Sequence, residues 1–232
     1  MNDEKKILRQ SLSNRIVHWL TAISIFLLII SGLGQMPLYK RYNITKLPGA
    51  EWLGNYFDTL VLHYIAAIML LFIVFYHIVL HVIRKEFDIW PKRGDLIQSF
   101  LIIKAMITKG KEPESDKYLA EQRLAYLFIG ANIMLLIITG IIKIVKNIPG
   151  FTMPNIVIFW TAHIHNFATF LLIFGIIGHL AAFLFKENRA LLPGMFSGYV
   201  KESYVKHRHS LWYKKLKEKD EKLKDRSQGR AL

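Results

Sequence analysis

The sequence predicts an all-α integral membrane protein: a four-transmembrane-helix bundle with the N and C termini cytoplasmic. Three observations predict it. Four apolar runs are each long enough to cross ~30 Å of hydrocarbon at ~1.5 Å per residue. Their apolarity is continuous rather than alternating, which means helices, since only helices and closed barrels satisfy their backbone in lipid. The cations are one-sided: 26 of the 31 Lys and Arg flank one end of these runs and 5 the other. Cytoplasmic loops carry such an excess.

The elements follow in order. A basic N-terminal segment (Lys5, Lys6, Arg9, Arg15) leads into the first span, about residues 16–34. An outer loop, "QMPLYKRYNITKLPGAEWLGNYFD", holds Pro and Gly breakers and interfacial aromatics. The second span covers about residues 57–83. The connection from Arg84 to Arg123 has nine cations and a shorter apolar piece, "LIQSFLIIKAMI". That piece is expected to lie along the membrane surface as an amphipathic helix rather than to cross. The third span covers about 124–145 and the fourth about 158–185. We divide the chain into a transmembrane domain, 1–190, and a basic cytoplasmic tail, 191–232, partly helical and frayed at its end. The first run has no small-residue cleavage motif after it, so no cleavable signal peptide is expected. No internal repeat is evident beyond the gross pairing of helices.

Composition narrows the function classes. A net charge of +14 beside 53% hydrophobic residues suits a small multi-pass membrane protein with basic cytoplasmic loops better than a nucleic-acid binder. The latter needs its charge on a folded polar face, and here it sits between apolar runs. Without cysteine the chain cannot itself hold thiolate-ligated iron–sulfur clusters or covalent haem.

The stretch "TAHIHNFATFLLIFGIIGHLAAFLF", Thr161 to Phe185, carries three histidines within a span. Ionisable groups in hydrocarbon are costly unless paired, and histidine is a common axial ligand of haem iron. Fourteen residues turn a helix to within about 40° of four full turns, so His165 and His179 share a face roughly 21 Å apart along the axis. That spacing is too long for two ligands of one zinc or copper ion. It suits one ligand in each half of the bilayer. Ala168, Gly175 and Gly178 offer low walls beside them. His163 points about 160° away from His179 and reads as an interfacial residue. Partners at matching depth are His63 in "LVLHYIAAI" for His165 and His18 in "NRIVHWLTA" for His179. His77 competes with His18: His77 and His179 each lie seven residues before a cation, Arg84 and Lys186, and depth alone slightly favours His77. Single membrane histidines also serve as packing or anchoring groups. Four at two depths on three helices fit two haem b groups better.

These residues carry a resemblance. "RIVHWLTAISIFLLIISG", "LHYIAAI" and the His165/His179 pair resemble the bacterial di-haem cytochrome b family. That family includes bacterial cytochrome b561, the b-type cytochromes of nickel–iron hydrogenases and the gamma subunits of formate dehydrogenases. The gamma subunits look closest, through "KYLAEQRLAYLFI" and "FLFKENRALLPGMFSGYVKESYVKHRHSLWYKKL". The resemblance covers roughly Arg15 to Leu216. It implies His18, His63, His165 and His179 as axial ligands of two haem b, and so prefers His18 to His77. It also implies partners, an iron–sulfur subunit and a catalytic dehydrogenase subunit. Electrons would pass from the outer to the inner haem and on to menaquinone or ubiquinone near the cytoplasmic face. Where the family pattern is "KYNxxQK", this chain reads Lys117 to Arg123 as "KYLAEQR". Leu119 cannot make the side-chain hydrogen bond of the family's Asn, so that contact is lost or replaced; the resemblance implies Gln122 as a candidate quinone contact.

Two other functions compete. A stand-alone cytochrome b561-type oxidoreductase acting between superoxide and quinone needs neither the long middle loop nor the basic tail. A haem-free anchor or transporter predicts no haem spectrum, and the spans lack the paired Gly/Pro interruptions of many transporters. The tail segment "KHRHSLWY" has a metal reading through His207 and His209. Its simpler reading is a basic amphipathic segment with Trp212 and Tyr213 at the headgroups.

Overall fold

A computed structural model describes residues 4–228. Arg230, counted among the tail's cations, and the tail's extreme end lie outside these residues. Among the described residues are ten helices: α1 (Leu12–Gln35), α2 (Leu38–Arg41), α3 (Tyr56–Arg84), α4 (Asp95–Thr108), α5 (Ala120–Val145), α6 (Asn155–Ala181), α7 (Lys186–Arg189), α8 (Leu192–Phe196), α9 (Glu202–Arg208) and α10 (Ser210–Gln228). Two short strands, β1 (Lys6–Leu8) and β2 (Tyr199–Lys201), form one antiparallel pair. The helices α1, α3, α5 and α6, the last extended by a 3₁₀ turn to Leu184, are long and apolar enough to cross a membrane. Their surfaces carry Phe72, Phe75, Ile83, Phe167 and Phe174 largely exposed. Such side chains belong against lipid tails rather than water.

The chain forms two compact units. One gathers Leu12–Glu86 with Leu135–Thr169. In it α1 and α3 pack against each other. Gly34 allows the close approach: a Cβ there would stand 2.5 Å from Thr59 Cγ2. Thr59, Ser24 and Ser31 are fully buried and turn their hydroxyls onto carbonyls of their own helices. Small residues that hide their own polarity are what helix contacts in lipid select. Asn55 starts α3 by accepting the Phe57 N–H at 3.0 Å, and Lys85 ends it in the left-handed conformation. Tyr39 ties the connecting loop back to the Ile30 carbonyl.

The other unit comprises the residues up to Ser11, Phe87–Met134, and Phe170 onward. Here the N-terminal strand pairs with the tail, Ile7 opposite Val200. Val200, Val205 and Trp212 form a core joined by Ile7, Tyr213 and Leu216. Trp212 is thus packed inside rather than laid at the headgroups, because the strand pair gives it an apolar pocket. Arg9 follows the strand into this core. Its guanidinium lies over the rings of Tyr118 and Trp212, 5.5 and 5.7 Å from their centroids. It also donates to Gln122 Oε1 and His209 Nε2, each at 3.2 Å. An arginine can only donate, so Nε2 is bare and the Nδ1–H of His209 donates to the Asp116 carbonyl at 2.7 Å. His209 is therefore a neutral structural histidine; burial first, then the Arg9 cation, push its pKa down to about 3.

The helix α4 buries Ser99, Ile102 and Ala105, with Ile102 packed against Leu119 and Ala120, and exposes Leu96, Ile97, Phe100 and Ile107. The exposed apolar face is the one expected of a helix lying on the membrane surface. Asp95 at its start and Arg123 on α5 form a bidentate pair with both side chains at least 95% buried. Removing one partner strands the other charge. We expect Asp95→Asn to destabilise the protein by about 3–5 kcal/mol, read as a lower unfolding temperature in detergent. An unchanged transition would show that the pair carries no stability.

The His209 argument has a pH sign. Its folded pKa lies below the ordinary value of 6.5, so the unfolded chain binds more protons between about pH 6.5 and 3. The contribution of neutral His209 is complete above that window and is lost as pH falls through it. Backbone hydrogen exchange at Val200–Trp212 is therefore expected to be flat above pH 7 and, after correction for intrinsic rate, to lose protection on acidification. Protection that rises on acidification would contradict the assignment.

Candidate haem-ligand site

Each histidine sits where its helix puts it. His63 lies two turns into α3 and His165 near the middle of α6, both within the first unit. The two expected outer partners face each other: their ring centroids are 6.4 Å apart, with ring planes at 61°. That is too far for direct imidazole contact. Two metal–nitrogen bonds of about 2 Å, with about 1 Å from each nitrogen to its ring centre, add up to roughly 6 Å. The gap accommodates one metal ion between two imidazoles.

The hydrogen bonds indicate which nitrogens are left with a free lone pair. Ser31 Oγ lies 3.0 Å from His63 Nδ1, and Thr139 Oγ1 lies 2.8 Å from His165 Nδ1. Each hydroxyl has one proton and has already given it away: Ser31 to the Leu27 carbonyl at 2.6 Å, Thr139 to the Leu135 carbonyl at 2.7 Å. Both hydroxyls therefore accept, both Nδ1 atoms carry the proton, and both Nε2 atoms keep a free lone pair. Glycines follow the hydroxyl residues. A Cβ at Gly32 would come 3.5 Å from His63 Cε1, and one at Gly140 would come 3.7 Å from His165 Cε1. Each imidazole thus has a low wall at its flank. Among the described residues no cluster of three or more metal-ligating side chains exists. Two opposed imidazoles with nothing equatorial match an iron whose other four ligands come from a planar macrocycle.

The remaining histidines divide. His163 is exposed, bonds its Nδ1 to the Phe159 carbonyl at 2.8 Å and stacks on the Phe159 ring, as an interfacial residue should. His18 meets Trp19 edge to face at 5.3 Å. His77 lies 4.1 Å from the ring of His81, which bonds back to the His77 carbonyl. His179 stands on the part of α6 within the second unit, its ring 6.3 Å from Phe183. Gly175 does not offer the open wall expected of it. Phe128 covers it so closely that a Cβ would sit 2.8 Å from the ring, whereas nothing lies within 4 Å of a Cβ at Gly178. Gln122 caps α5: its Oε1 accepts the Leu119 N–H and the Arg9 guanidinium, each at 3.2 Å. Its Nε2 is the group it can offer a ligand. Leu119 is fully buried beside Ile102 and Ala120, which is why an apolar residue stands there.

Sequence reasoning missed Ser31 and Thr139, although a signal was present. "LLIISG" (27–32) and "LLIITG" (135–140) are the same six residues apart from the Ser/Thr exchange. The chain does contain an internal repeat, at the two places that hold the imidazoles. Seven residues earlier in each copy, Ser24 and Asn132 are buried polar residues that bond back to the carbonyl four residues before them.

Comparison with known proteins agrees with this geometry. The family model described as prokaryotic cytochrome b561 matches residues 9–198. Over 99% of this chain and 100% of the relative, the chain is 28% identical to the cytochrome b556(Fdn) subunit of the nitrate-inducible formate dehydrogenase of Escherichia coli K12. The corresponding subunit of Shigella flexneri matches equally. The cytochrome b556(fdo) subunit of an E. coli K12 formate dehydrogenase is 24% identical over 96% of this chain and 99% of its own length. The chain belongs to the prokaryotic cytochrome b561 family. It is accordingly a bacterial inner-membrane cytochrome whose family cofactor is haem b.

Gly140→Ala adds only a methyl group at ordinary contact distance from His165, and full haem content is expected. Gly140→Leu fills the flank of the imidazole and is expected to lower haem per chain by pyridine haemochrome assay. Equal haem content in both variants would show that the glycine does not border the cofactor.

Proposed function

We propose that the chain is the membrane-anchoring, di-haem cytochrome b subunit of a respiratory dehydrogenase complex of the formate dehydrogenase type. In this reading it passes electrons between a partner iron–sulfur subunit and quinone. The observation that carries it is the His63–His165 pair, whose ring centroids stand 6.4 Å apart with a buried hydroxyl at each Nδ1. The relatives named as formate dehydrogenase cytochrome subunits support it further, because they match along their whole length, the tail included. A stand-alone oxidoreductase gives no reason for a tail that folds onto the N-terminal strand.

Bound haem b supplies one-electron exchange at its iron. The chain's residues do the rest. His63 and His165 would be the axial ligands of one haem, and His18 and His179 those of the other. Lys143, one turn beyond Thr139 on α5, offers a cation to the carboxylates at a haem edge. The excess of 26 cations over 5 supports a cytoplasmic position for both termini and the middle loop. Gln122 then lies at the cytoplasmic end of α5, where its Nε2 can donate to a quinone carbonyl. The clusters that feed the outer haem must come from the partner, since this chain has no cysteine.

Protein purified from its membrane is expected to contain about two haem b per chain. His63→Ala and His165→Ala should lose the same haem, and His18→Ala and His179→Ala the other. His77→Ala should keep both. A chain without haem would overturn the proposal, and loss of a haem in His77→Ala but not in His18→Ala would reassign the inner ligand.

A further inference from the structure

We infer that Ser31 and Thr139 are positioning residues that fix the tautomer and orientation of His63 and His165 and lower the reduction potential of the haem between them. The inference rests on the reading of these histidines as axial ligands. It assigns to two hydroxyl residues a function beyond helix packing.

The hydroxyl geometry is alike on both sides, with the Leu28 carbonyl a further hydrogen-bond partner of His63. In each half a hydroxyl residue at the end of a Leu-Leu-Ile-Ile run sits against the imidazole of a different helix, α1 against α3 and α5 against α6. Each hydroxyl is locked in place by its bond to the carbonyl four residues back. Ser31 is fully buried and Thr139 is 4% exposed, so water does not compete for either. A hydroxyl in a membrane helix could be content with its own carbonyl alone. Here both hydroxyls also receive an imidazole N–H, at 3.0 and 2.8 Å. Two independent helix pairs making the same bond argues for a shared task rather than incidental packing.

The electronic consequence has a sign. An acceptor on Nδ1–H pulls the proton outward and gives the ring more imidazolate character, which makes Nε2 the stronger donor. Stronger donation favours ferric over ferrous iron and lowers the potential. Because each hydroxyl is already donating, its oxygen is the better acceptor. The ring also loses its freedom to rotate about Cβ–Cγ, so the angle between the two imidazole planes is held.

The test uses protein purified from its native membrane, with its partner subunits, and reads potential and spectrum rather than turnover. Thr139→Val keeps the shape and deletes the hydroxyl; Thr139→Ser keeps the hydroxyl and deletes the methyl. In redox titrations the valine variant is expected to raise the midpoint of one haem and leave the other unchanged, with a shifted low-spin ferric EPR signal for that haem. The serine variant should match the parent. Ser31→Ala should move the same haem as Thr139→Val. If the valine variant loses that haem while the serine variant retains it, the hydroxyl role stands equally. Parent-like potentials and spectra in Thr139→Val overturn the inference. So do equal shifts, or equal haem loss, in the valine and serine variants, since these would reflect packing alone. If His165→Ala keeps both haems, the ligand assignment itself fails, which is a distinct result.

Discussion

A polar atom placed in hydrocarbon must find a partner within the protein, and this constraint organises the membrane part of the chain. Imidazole has two nitrogens to satisfy. At His63 and His165 a helix-borne hydroxyl takes the N–H side, which leaves the lone-pair side to be met by something else. No group of three or more metal-ligating side chains occurs among the described residues, so the partner we propose for the lone pairs is a haem iron, which brings its own equatorial ligands. Gly34 lets α1 approach α3 at Thr59, and Gly32 and Gly140 leave room beside the two imidazoles.

The second unit obeys the constraint differently. Three of its buried arginines carry the polar contacts: Arg123 pairs with Asp95, Arg208 with Glu112 and Asn188, and Arg9 with aromatic faces and neutral His209. Arg9 stands just before α1, Gln122 in the first turn of α5 and His209 in the tail. Their contacts therefore join three distant parts of the sequence in one folded polar layer. A tail held this way is a structural component, and the N-terminal strand is its partner.

The legible parts of the sequence were those governed by period and length. Span lengths, the shared face of His165 and His179, and the outward turn of His163 all follow from helix geometry. Ser31 and Thr139 were hidden because a hydroxyl in a membrane helix usually bonds to its own backbone, so nothing local marks it as a partner of another helix. Their repeat was hidden by composition: Leu and Ile runs recur throughout such a chain, and only the hydroxyl–glycine ending distinguishes these two. Trp212 misled for a related reason. An aromatic beside lysines reads as a headgroup anchor, and only the pairing of Ile7 with Val200, set nearly two hundred residues apart, provides its pocket. Gly175 reads as an open wall until Phe128, from another helix, is placed over it.

The central claim is that the space between His63 and His165 belongs to a haem. A cryo-electron microscopy map of the protein purified from its membrane, at a resolution that shows side chains, tests it most directly. The account predicts a planar macrocycle between the two rings, iron bonded to both Nε2 atoms, and the two Nδ1 atoms still on Ser31 and Thr139. Imidazoles bonded to each other or to lipid, with no density between them, would contradict it.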